Sequence, residues 1–286
     1  MDEIFLLPAD SDNQPIDREI VIQYFRSTQD TVRAKSILTK NAISLVIKGN
    51  KTMHFAEKTV QANDKEIHFL SAGNCIASIE FQEQEEFKSI LIFFDEHLLA
   101  DFFAQQKKSL PTANKTKQPY ISLKKDNFIR NYISSLELVL QHGKKISEQM
   151  SVLKFGELMQ YLLEYYPGTL LSFQYRQQHT FDDVTIRKTV EANITSNLTV
   201  EELAFLCNVS ASTFKRRFRD IYNTSPINWF IEERMKMARK LLTNKRIKPA
   251  DVYHQLGYEN HSSFSRIFRK YYGMSPKEYA EANMAV

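Results

Sequence analysis

The fold of the C-terminal half follows from the segment Leu203-Ala-Phe-Leu-Cys-Asn-Val-Ser-Ala-Ser-Thr-Phe-Lys-Arg-Arg-Phe-Arg-Asp-Ile-Tyr-Asn-Thr-Ser-Pro226. Its pattern returns as Val252-Tyr-His-Gln-Leu-Gly-Tyr-Glu-Asn-His-Ser-Ser-Phe-Ser-Arg-Ile-Phe-Arg-Lys-Tyr-Tyr-Gly-Met-Ser-Pro276. The residues of the first copy that recur at an offset of 50 are Phe214, Phe218, Arg219, Tyr222, Ser225 and Pro226. A repeat of this period indicates one supersecondary unit used twice.

Each copy predicts a short helix, a turn, a second helix and a Ser-Pro stop, with Ser210 able to cap the second helix of the first copy. Helical spacing turns one apolar face of each second helix inward. Those inward residues are Phe214, Phe218 and Ile221 in the first copy, and Phe264, Ile267, Phe268 and Tyr271 in the second. The outward residues are Ser212, Lys215, Arg216 and Arg219, and then Ser262, Ser265, Arg266 and Arg269.

A helix with one anchored face and one basic face suits the major groove of DNA, because Arg and Lys bind guanine edges and other cations meet phosphates. For a single copy, a solvated basic face is the favoured interpretation, but two copies with matched basic faces favour DNA binding. The segment 226–242 between the copies predicts a connecting helix of about 25 Å. That length is of the order needed to place two helices one DNA turn of about 34 Å apart.

The span from about 190 to 283 resembles the double helix-turn-helix domain of the AraC/XylS transcription regulators. The resemblance is carried by Leu256-Gly257-Tyr258, by the run from Ser263 to Lys270, and by the run from Gly273 to Tyr279. It implies two recognition helices in adjacent major grooves, with double-stranded DNA and RNA polymerase as partners. The base-reading positions of the family fall here on Ser212, Lys215, Arg216, His261, Ser262, Ser263 and Arg266.

Two residues depart from the family pattern. Tyr253 stands where a small residue usually packs between the two helices, and Ser263 stands where an aromatic residue is common. The first recognition helix also holds the denser basic run, Lys215-Arg216-Arg217 followed by Arg219. We therefore expect the first module to contribute more to DNA binding than the second.

Composition is that of a globular protein, with 286 residues, 43% hydrophobic and 25% charged. Residues 180–286 hold 17 Lys and Arg against 12 Asp and Glu, whereas residues 1–179 hold 21 against 22. The basic excess thus lies with the repeat, as expected for the part that binds a polyanion. Neither a signal peptide nor a membrane-spanning run is evident, so we expect a cytoplasmic protein with no membrane partner. Cys75 and Cys207 are interpreted as core residues.

The N-terminal region predicts short β-strands separated by turns, and hence a small antiparallel barrel or sandwich. The strands are predicted over 19–25, 43–48, 51–55, 66–70, 75–81 and 89–94. In the family such a region resembles a cupin-like sensor domain. The run from Phe87 to Phe94, followed by Leu98-Leu99 and Phe102-Phe103, is similar to the branch that activates type III secretion genes.

Small barrels of this kind include metalloenzymes, so the histidines matter. His54 and His68, with Glu57 and Glu66 nearby, lack the His-x-His pair that a metal-binding cupin carries. We therefore predict no metal, no cofactor and no catalytic residues. A cupin-type metalloenzyme with a DNA-targeting tail, and a DNA-packaging protein, remain alternatives.

A helix starting at Asp95-Glu96 and a helical hairpin over 126–142 and 147–166 follow the strands. The hairpin has enough apolar surface to predict a homodimer interface, with packing on the barrel as the alternative. The polar segment from Gln105 to Pro119 predicts an exposed loop.

The fold class predicted is α+β, in three segments. Residues 1–170 form a cupin-like antiparallel β-barrel with a helical hairpin, residues 171–179 a linker, and residues 180–286 an all-α double helix-turn-helix domain. The function predicted is sequence-specific transcription regulation, with activation favoured over repression by the resemblance. The effector, a small molecule or a protein, is unknown.

Overall fold

A computed structural model describes residues 4–10, 12–79, 86–106, 118–140, 146–173, 183–243 and 249–284. The chain divides into two compact units, Met1–Thr180 and Phe181–Val286. They are called the N-terminal domain and the C-terminal domain, and each is described by itself.

The N-terminal domain is built on two five-stranded sheets. The first sheet has the order β1 (Ile4–Leu7), β3 (Thr31–Leu38), β8 (Gly73–Ile79), β5 (Lys51–His54) and β6 (Thr59–Ala62). The second has the order β10 (Tyr120–Lys124), β7 (Glu66–Leu70), β4 (Asn41–Lys48), β9 (Phe87–Phe94) and β2 (Ile20–Ser27). Neighbouring strands run antiparallel except for β1 and β3, which are parallel. The predicted β-rich, mainly antiparallel domain is confirmed.

The second sheet is covered on both faces. In β4, Ala42 and Val46 join the apolar cluster between the two sheets, whereas Ile43 and Leu45 join a cluster with the helices on the other side. Successive side chains of a strand point to opposite faces, so a strand buried on both faces needs a continuous apolar run. That requirement explains the composition of 41–47, where six consecutive residues are buried.

The described part of the N-terminal domain contains four helices: α1 (Glu96–Ala104), α2 (Asn127–Leu140), α3 (Glu148–Tyr165) and the short α4 (Pro167–Leu170). The predicted hairpin agrees with α2 and α3 to within two residues. Asp126 ties the two helices together, since its carboxylate accepts hydrogen bonds from the Ile129 amide at 2.9 Å and from the hydroxyls of Tyr161 and Tyr166 at 2.6 and 2.7 Å. In α1, Leu99 is buried, whereas Leu98, Phe102 and Phe103, also expected inside, are half-buried.

The predicted linker, 171–179, begins too early. Leu171, Ser172 and Phe173 are buried, and the ring of Phe173 packs 5.4 Å from that of Phe69. The carbonyl of Ser172 accepts a hydrogen bond from Gln118 N at 2.7 Å. The segment after α4 therefore closes the hydrophobic core, while 174–179 lie outside the described residues. Most of the predicted loop, 107–117, lies outside them as well.

The C-terminal domain is helical. Its helices are α5 (Asp183–Ala192), α6 (Val200–Leu206), α7 (Ala211–Tyr222), α8 (Pro226–Leu242), α9 (Val252–Gln255), α10 (His261–Tyr272) and α11 (Pro276–Met284), with a 3₁₀ turn, Pro249–Asp251, before α9. Phe214 and Phe218 lie in one apolar core with α5 and α6, and Phe264 and Phe268 in a second core with α9 and α11. The connecting helix α8 serves both, because its Trp229 packs on the first core and its Met235 belongs to the second. The predicted double helix-turn-helix is confirmed.

Each domain holds one cysteine. Cys75 is buried between the two sheets, and its burial raises the pKa of the thiol to about 12. Cys207 is buried in the first core of the C-terminal domain, with Sγ 3.3 Å from Oγ1 of Thr189. Among the helices described, none is both long enough and apolar enough to cross a bilayer.

Candidate DNA-binding surface

The two recognition helices, α7 and α10, begin and end at defined caps. The hydroxyl of Ser210 accepts the amide of Thr213 at 3.2 Å, as predicted, and the side chain of Asn260 accepts the amide of Ser263 at 2.9 Å. Both helices end at a residue in the left-handed region, Asn223 at φ 52° and Gly273 at φ 75°. An Asx or Ser cap satisfies an amide that the helix itself leaves unpaired, and a left-handed residue stops the helix. Two helices of 12 residues are thereby held at matching places in the repeat.

The apolar face of each recognition helix is anchored in the same way. Phe214 and Phe218 are fully buried, as are Phe264 and Phe268. The ring centroids are 5.8 Å apart in both pairs. Because the anchors match, the opposite face points outward in both copies.

On α7, the predicted contact residues Ser212, Lys215, Arg216 and Arg219 are all exposed. The ammonium of Lys215 lies 3.2 Å from a carboxylate oxygen of Glu201, an exposed pair that screening by solvent makes weak. Arg217 differs from its neighbours: it is half-buried, and its guanidinium reaches Asp183 of α5 at 3.2 Å. Arg217 is part of the basic run Lys215-Arg216-Arg217, but its side chain is directed towards α5 and not with those of Lys215 and Arg216.

On α10, the predicted contact residues His261, Ser262, Arg266 and Arg269 are exposed, while Ser263 is half-buried beneath the cap formed by Asn260. The imidazole of His261 lies within 3.4 Å of the hydroxyl of Ser265, one helical turn along. The structure thus brings the predicted residues of this copy to one surface, with Ser263 the least accessible of them.

Tyr253 lies at the rim of the second module. Its ring centroid lies 3.9 Å from that of His254, with the planes tilted by 32°, and it meets the ring of His261 edge-on at 5.8 Å. Val252 and Leu256 are fully buried. The half-buried ring of Tyr253 packs against the same core that contains Val252 and Leu256. Tyr253 thus lies where α9 meets α10, and the weaker contribution of the second module stays a prediction.

The candidate metal ligands of the N-terminal domain are His54 and His68, and neither belongs to a cluster of metal-binding side chains among the described residues. Among the residues that the structure describes, no group of three His, Cys, Asp or Glu side chains is placed to hold a metal ion. The Nδ1 of His54 lies 3.0 Å from the Thr59 hydroxyl. His68 lines a cleft of about 180 Å³ between β6 and the pair β7 and β10, and burial lowers its pKa, which favours the neutral imidazole.

Family models match both domains. Residues 41–173 match the ExsA N-terminal regulatory domain, and residues 203–282 match a helix-turn-helix domain. The two matches agree with a similarity to the AraC family of transcription regulators. The resemblance seen in the sequence is confirmed, and so is its function as a DNA-binding transcription regulator.

Curated relatives of this regulator align over different lengths. The virulence regulon transcriptional activator VirF of Yersinia enterocolitica serotype O:8 / biotype 1B is 20% identical over 84% of this chain and 89% of its own length. The thermoregulatory protein LcrF of Yersinia pestis has the same identity and coverage. The HTH-type transcriptional regulator YdiP of Escherichia coli K12 is 28% identical over 53% of this chain. The alignment spans only half of YdiP.

Solved structures of similar proteins include ToxT and AdpA. ToxT from Vibrio cholerae is 13% identical and covers 92% of this chain and 98% of its own, with a TM-score of 0.36. The DNA-binding domain of AdpA, solved with a target DNA, is 26% identical and covers 37% of this chain and 96% of its own, with a TM-score of 0.35. TM-scores this low give no basis for comparing the DNA-binding surfaces of these proteins residue by residue.

Proposed function

We propose that the regulator binds one face of double-stranded DNA with α7 and α10 in adjacent major grooves. The observation that carries this proposal is the match between the two helices. They have equal length, equivalent caps, equivalent buried anchors and exposed basic residues at equivalent positions. A recognition helix reads base edges with a few exposed side chains, and two of them on one rigid support read two successive grooves.

The connecting helix supports this geometry. α8 has 17 residues and spans about 25 Å at the usual rise per residue. Because its two halves belong to different apolar cores, α8 connects the two modules rigidly. Its length is of the order of one turn of B-DNA, about 34 Å between equivalent grooves.

We propose Lys215, Arg216 and Arg266 as base-reading residues, and Arg219 and Arg269 as phosphate contacts. All five are exposed on α7 or α10. Ser212, His261, Ser262 and Ser263 complete the proposed surface, with Ser263 reaching DNA least easily because it is half-buried. Arg is suited to guanine O6 and N7, whereas a cation further along the helix meets the phosphate backbone.

We further propose that the protein activates transcription through contact with RNA polymerase in the cytoplasm. Activation, as opposed to repression, is supported by the two VirF proteins of Yersinia enterocolitica, which align over most of their length and are transcriptional activators by name. Expression of a reporter behind a bound promoter tests it. Loss of the protein lowers expression if it activates and raises expression if it represses.

The N-terminal domain is proposed to form a homodimer without catalysing a reaction. Exposed apolar side chains on α2 and α3 support this, with Leu138 and Leu153 each 67% exposed and Val152 50% exposed. Large apolar residues left in water on neighbouring helices are typical of an interaction surface. A cupin-type metalloenzyme instead requires stoichiometric metal, which elemental analysis of protein purified without added metal measures directly.

The two-groove proposal is tested by mapping bound DNA across the genome and footprinting the recovered site. We expect the fragment 181–286 to protect two successive major grooves on one face, and its affinity to fall steeply with salt as phosphate contacts release counterions. Protection of a single groove overturns the proposal. Equal affinity for random DNA would favour the DNA-packaging alternative.

A further inference from the structure

The loop that joins α5 to α6, residues 193–199, is held by an arginine from the connecting helix. The Nε of Arg234 donates to the carbonyl of Ile194 at 2.7 Å, and its Nη2 donates to the carbonyl of Ser196 at 2.8 Å. Both bonds use the fixed fork of one guanidinium, which binds two acceptors at once. Arg234 thus attaches the entry to the first module to α8.

The same guanidinium lies over two aromatic rings. Its central carbon is 5.8 Å from the ring of Phe230, which packs on the first core, and 5.6 Å from the ring of Tyr258, which packs on the second. A cation over an aromatic face is attracted by the ring quadrupole, and the attraction is stronger where water is excluded. Arg234 therefore contacts side chains of both modules as well as the loop.

The loop also meets the turn of the second module directly. Gly257 has φ 74°, and a Cβ placed there would lie 2.1 Å from the carbonyl oxygen of Thr195. Next to it, the side-chain amide of Asn197 donates to a carboxylate oxygen of Glu259 at 3.0 Å. Glycine satisfies two requirements here, a left-handed backbone and a close backbone approach. We call this set of contacts, made by Arg234, the loop 193–199 and the turn 257–259, the module clamp.

We propose that Arg234 is a positioning residue that fixes the distance and angle between α7 and α10, and so sets the spacing of the two DNA sequences that the regulator accepts. This inference rests on the proposed binding to two grooves. Helices held rigidly bind their two sites as a single event, because the second contact forms at high effective concentration. Loss of the module clamp contacts leaves α7 and α10 folded but lets the distance between them vary.

The test uses the full-length protein with Arg234→Lys, which keeps the charge and the stem but not the two-donor fork. Arg239→Lys is the matched control, since Arg239 is an exposed arginine on the same helix. Affinities are measured by titration on the mapped site, on the same site with one base pair inserted between the two half-sites, and on each half-site alone.

We expect the wild type and Arg239→Lys to lose about tenfold or more on the inserted site, because the rigid pair no longer fits. Arg234→Lys should bind the native site about tenfold more weakly but lose no more than about threefold on insertion, with half-site affinity unchanged. A purely structural role would instead weaken all of these DNAs in proportion and leave the ratio of native to inserted affinity as in the wild type. That outcome, or wild-type behaviour of Arg234→Lys, overturns the inference.

A second variant covers the case in which Arg234→Lys fails to fold. Asn197→Ala removes a bond between exposed residues and leaves both apolar cores intact. We expect it to lower the native-to-inserted ratio in the same direction by about twofold to threefold. An unchanged ratio in this variant, together with an unfolded Arg234→Lys, counts against the clamp. A wild type that shows no spacing preference at all refutes the two-groove proposal rather than the role of Arg234.

Discussion

At the scale of single residues, Arg216 and Arg266 occupy equivalent positions in the repeat, two residues after buried Phe214 and Phe264. The ranking of the first module above the second stays a prediction, since Arg217 is turned towards Asp183 and the ring of Tyr253 packs on the second core. We expect Arg216→Ala and Arg266→Ala each to cost about 1–3 kcal/mol on the mapped site and to relax specificity at one base pair.

Arg217→Ala is the matched control for this pair, because it removes the same side chain from a half-buried neighbour. We expect it to leave base preference unchanged. Titrations of the three variants at one salt concentration, against the site and its single-base changes, give the comparison. A loss of base preference with Arg217→Ala, or its retention with Arg216→Ala, would contradict the assignment of faces.

Single residues also show where sequence reasoning succeeds and where it stops. Ser210 and the outward face of α7 follow from local spacing, because a cap and a helical face involve neighbours a few residues apart. On α10 the spacing misplaces Tyr271, which was expected inward and is 45% exposed, and Ser265, which was expected outward and is half-buried. Arg234 could not be found in this way. Its partners, Ile194 and Ser196, lie 40 and 38 residues away and offer backbone carbonyls, which leave no mark on composition or spacing.

At the scale of elements, the hairpin of α2 and α3 carries the dimer prediction. Replacing Leu153 by Glu places a charge on a residue that is 67% exposed, so the fold of the monomer tolerates it. We expect sedimentation at micromolar concentration to shift from dimer to monomer, because a charge buried without a partner at an interface is costly. Leu138→Glu, on the neighbouring helix, should act in the same direction.

Gln160→Glu is the control for this change, since it adds the same charge at another exposed position of α3. It should leave the dimer intact if the apolar residues near the start of α3 form the interface. Sedimentation of the wild type as a monomer, with and without DNA, would remove the dimer from the proposal.

The strands show how burial controls what can be predicted from sequence. Local pattern predicts β2, β4, β5, β7, β8 and β9. Four of these, β2, β4, β7 and β9, belong to the sheet covered on both faces, whose strands carry dense apolar residues. Local pattern misses β1, β3, β6 and β10. β1 and β6 have only four residues each, and the register of β3 shifts between Thr31 and Ala34, where Arg33 has φ 54°. An irregular or very short strand gives no sustained alternation to detect.

At the scale of the whole molecule, a dimer would carry two C-terminal domains on one assembly. Once one domain is bound, the tethered second domain meets its site at high effective concentration. We expect the full-length protein to bind DNA with two mapped sites at least about tenfold more tightly than the fragment 181–286 does. The advantage should vanish on DNA with one site and in the Leu153→Glu variant. Equal affinity of full-length protein and fragment on two-site DNA would contradict this.

The placement of one cysteine in the interior of each domain has a practical consequence. Alkylating reagents attack the thiolate, and a thiol such as that of Cys75, whose pKa is raised to about 12, carries almost none at neutral pH. Modification of Cys75 or Cys207 therefore waits until the surrounding core opens. Mass spectrometry of the labelled peptides then measures the labelling rate of each cysteine, and so the opening of each domain, separately within one sample.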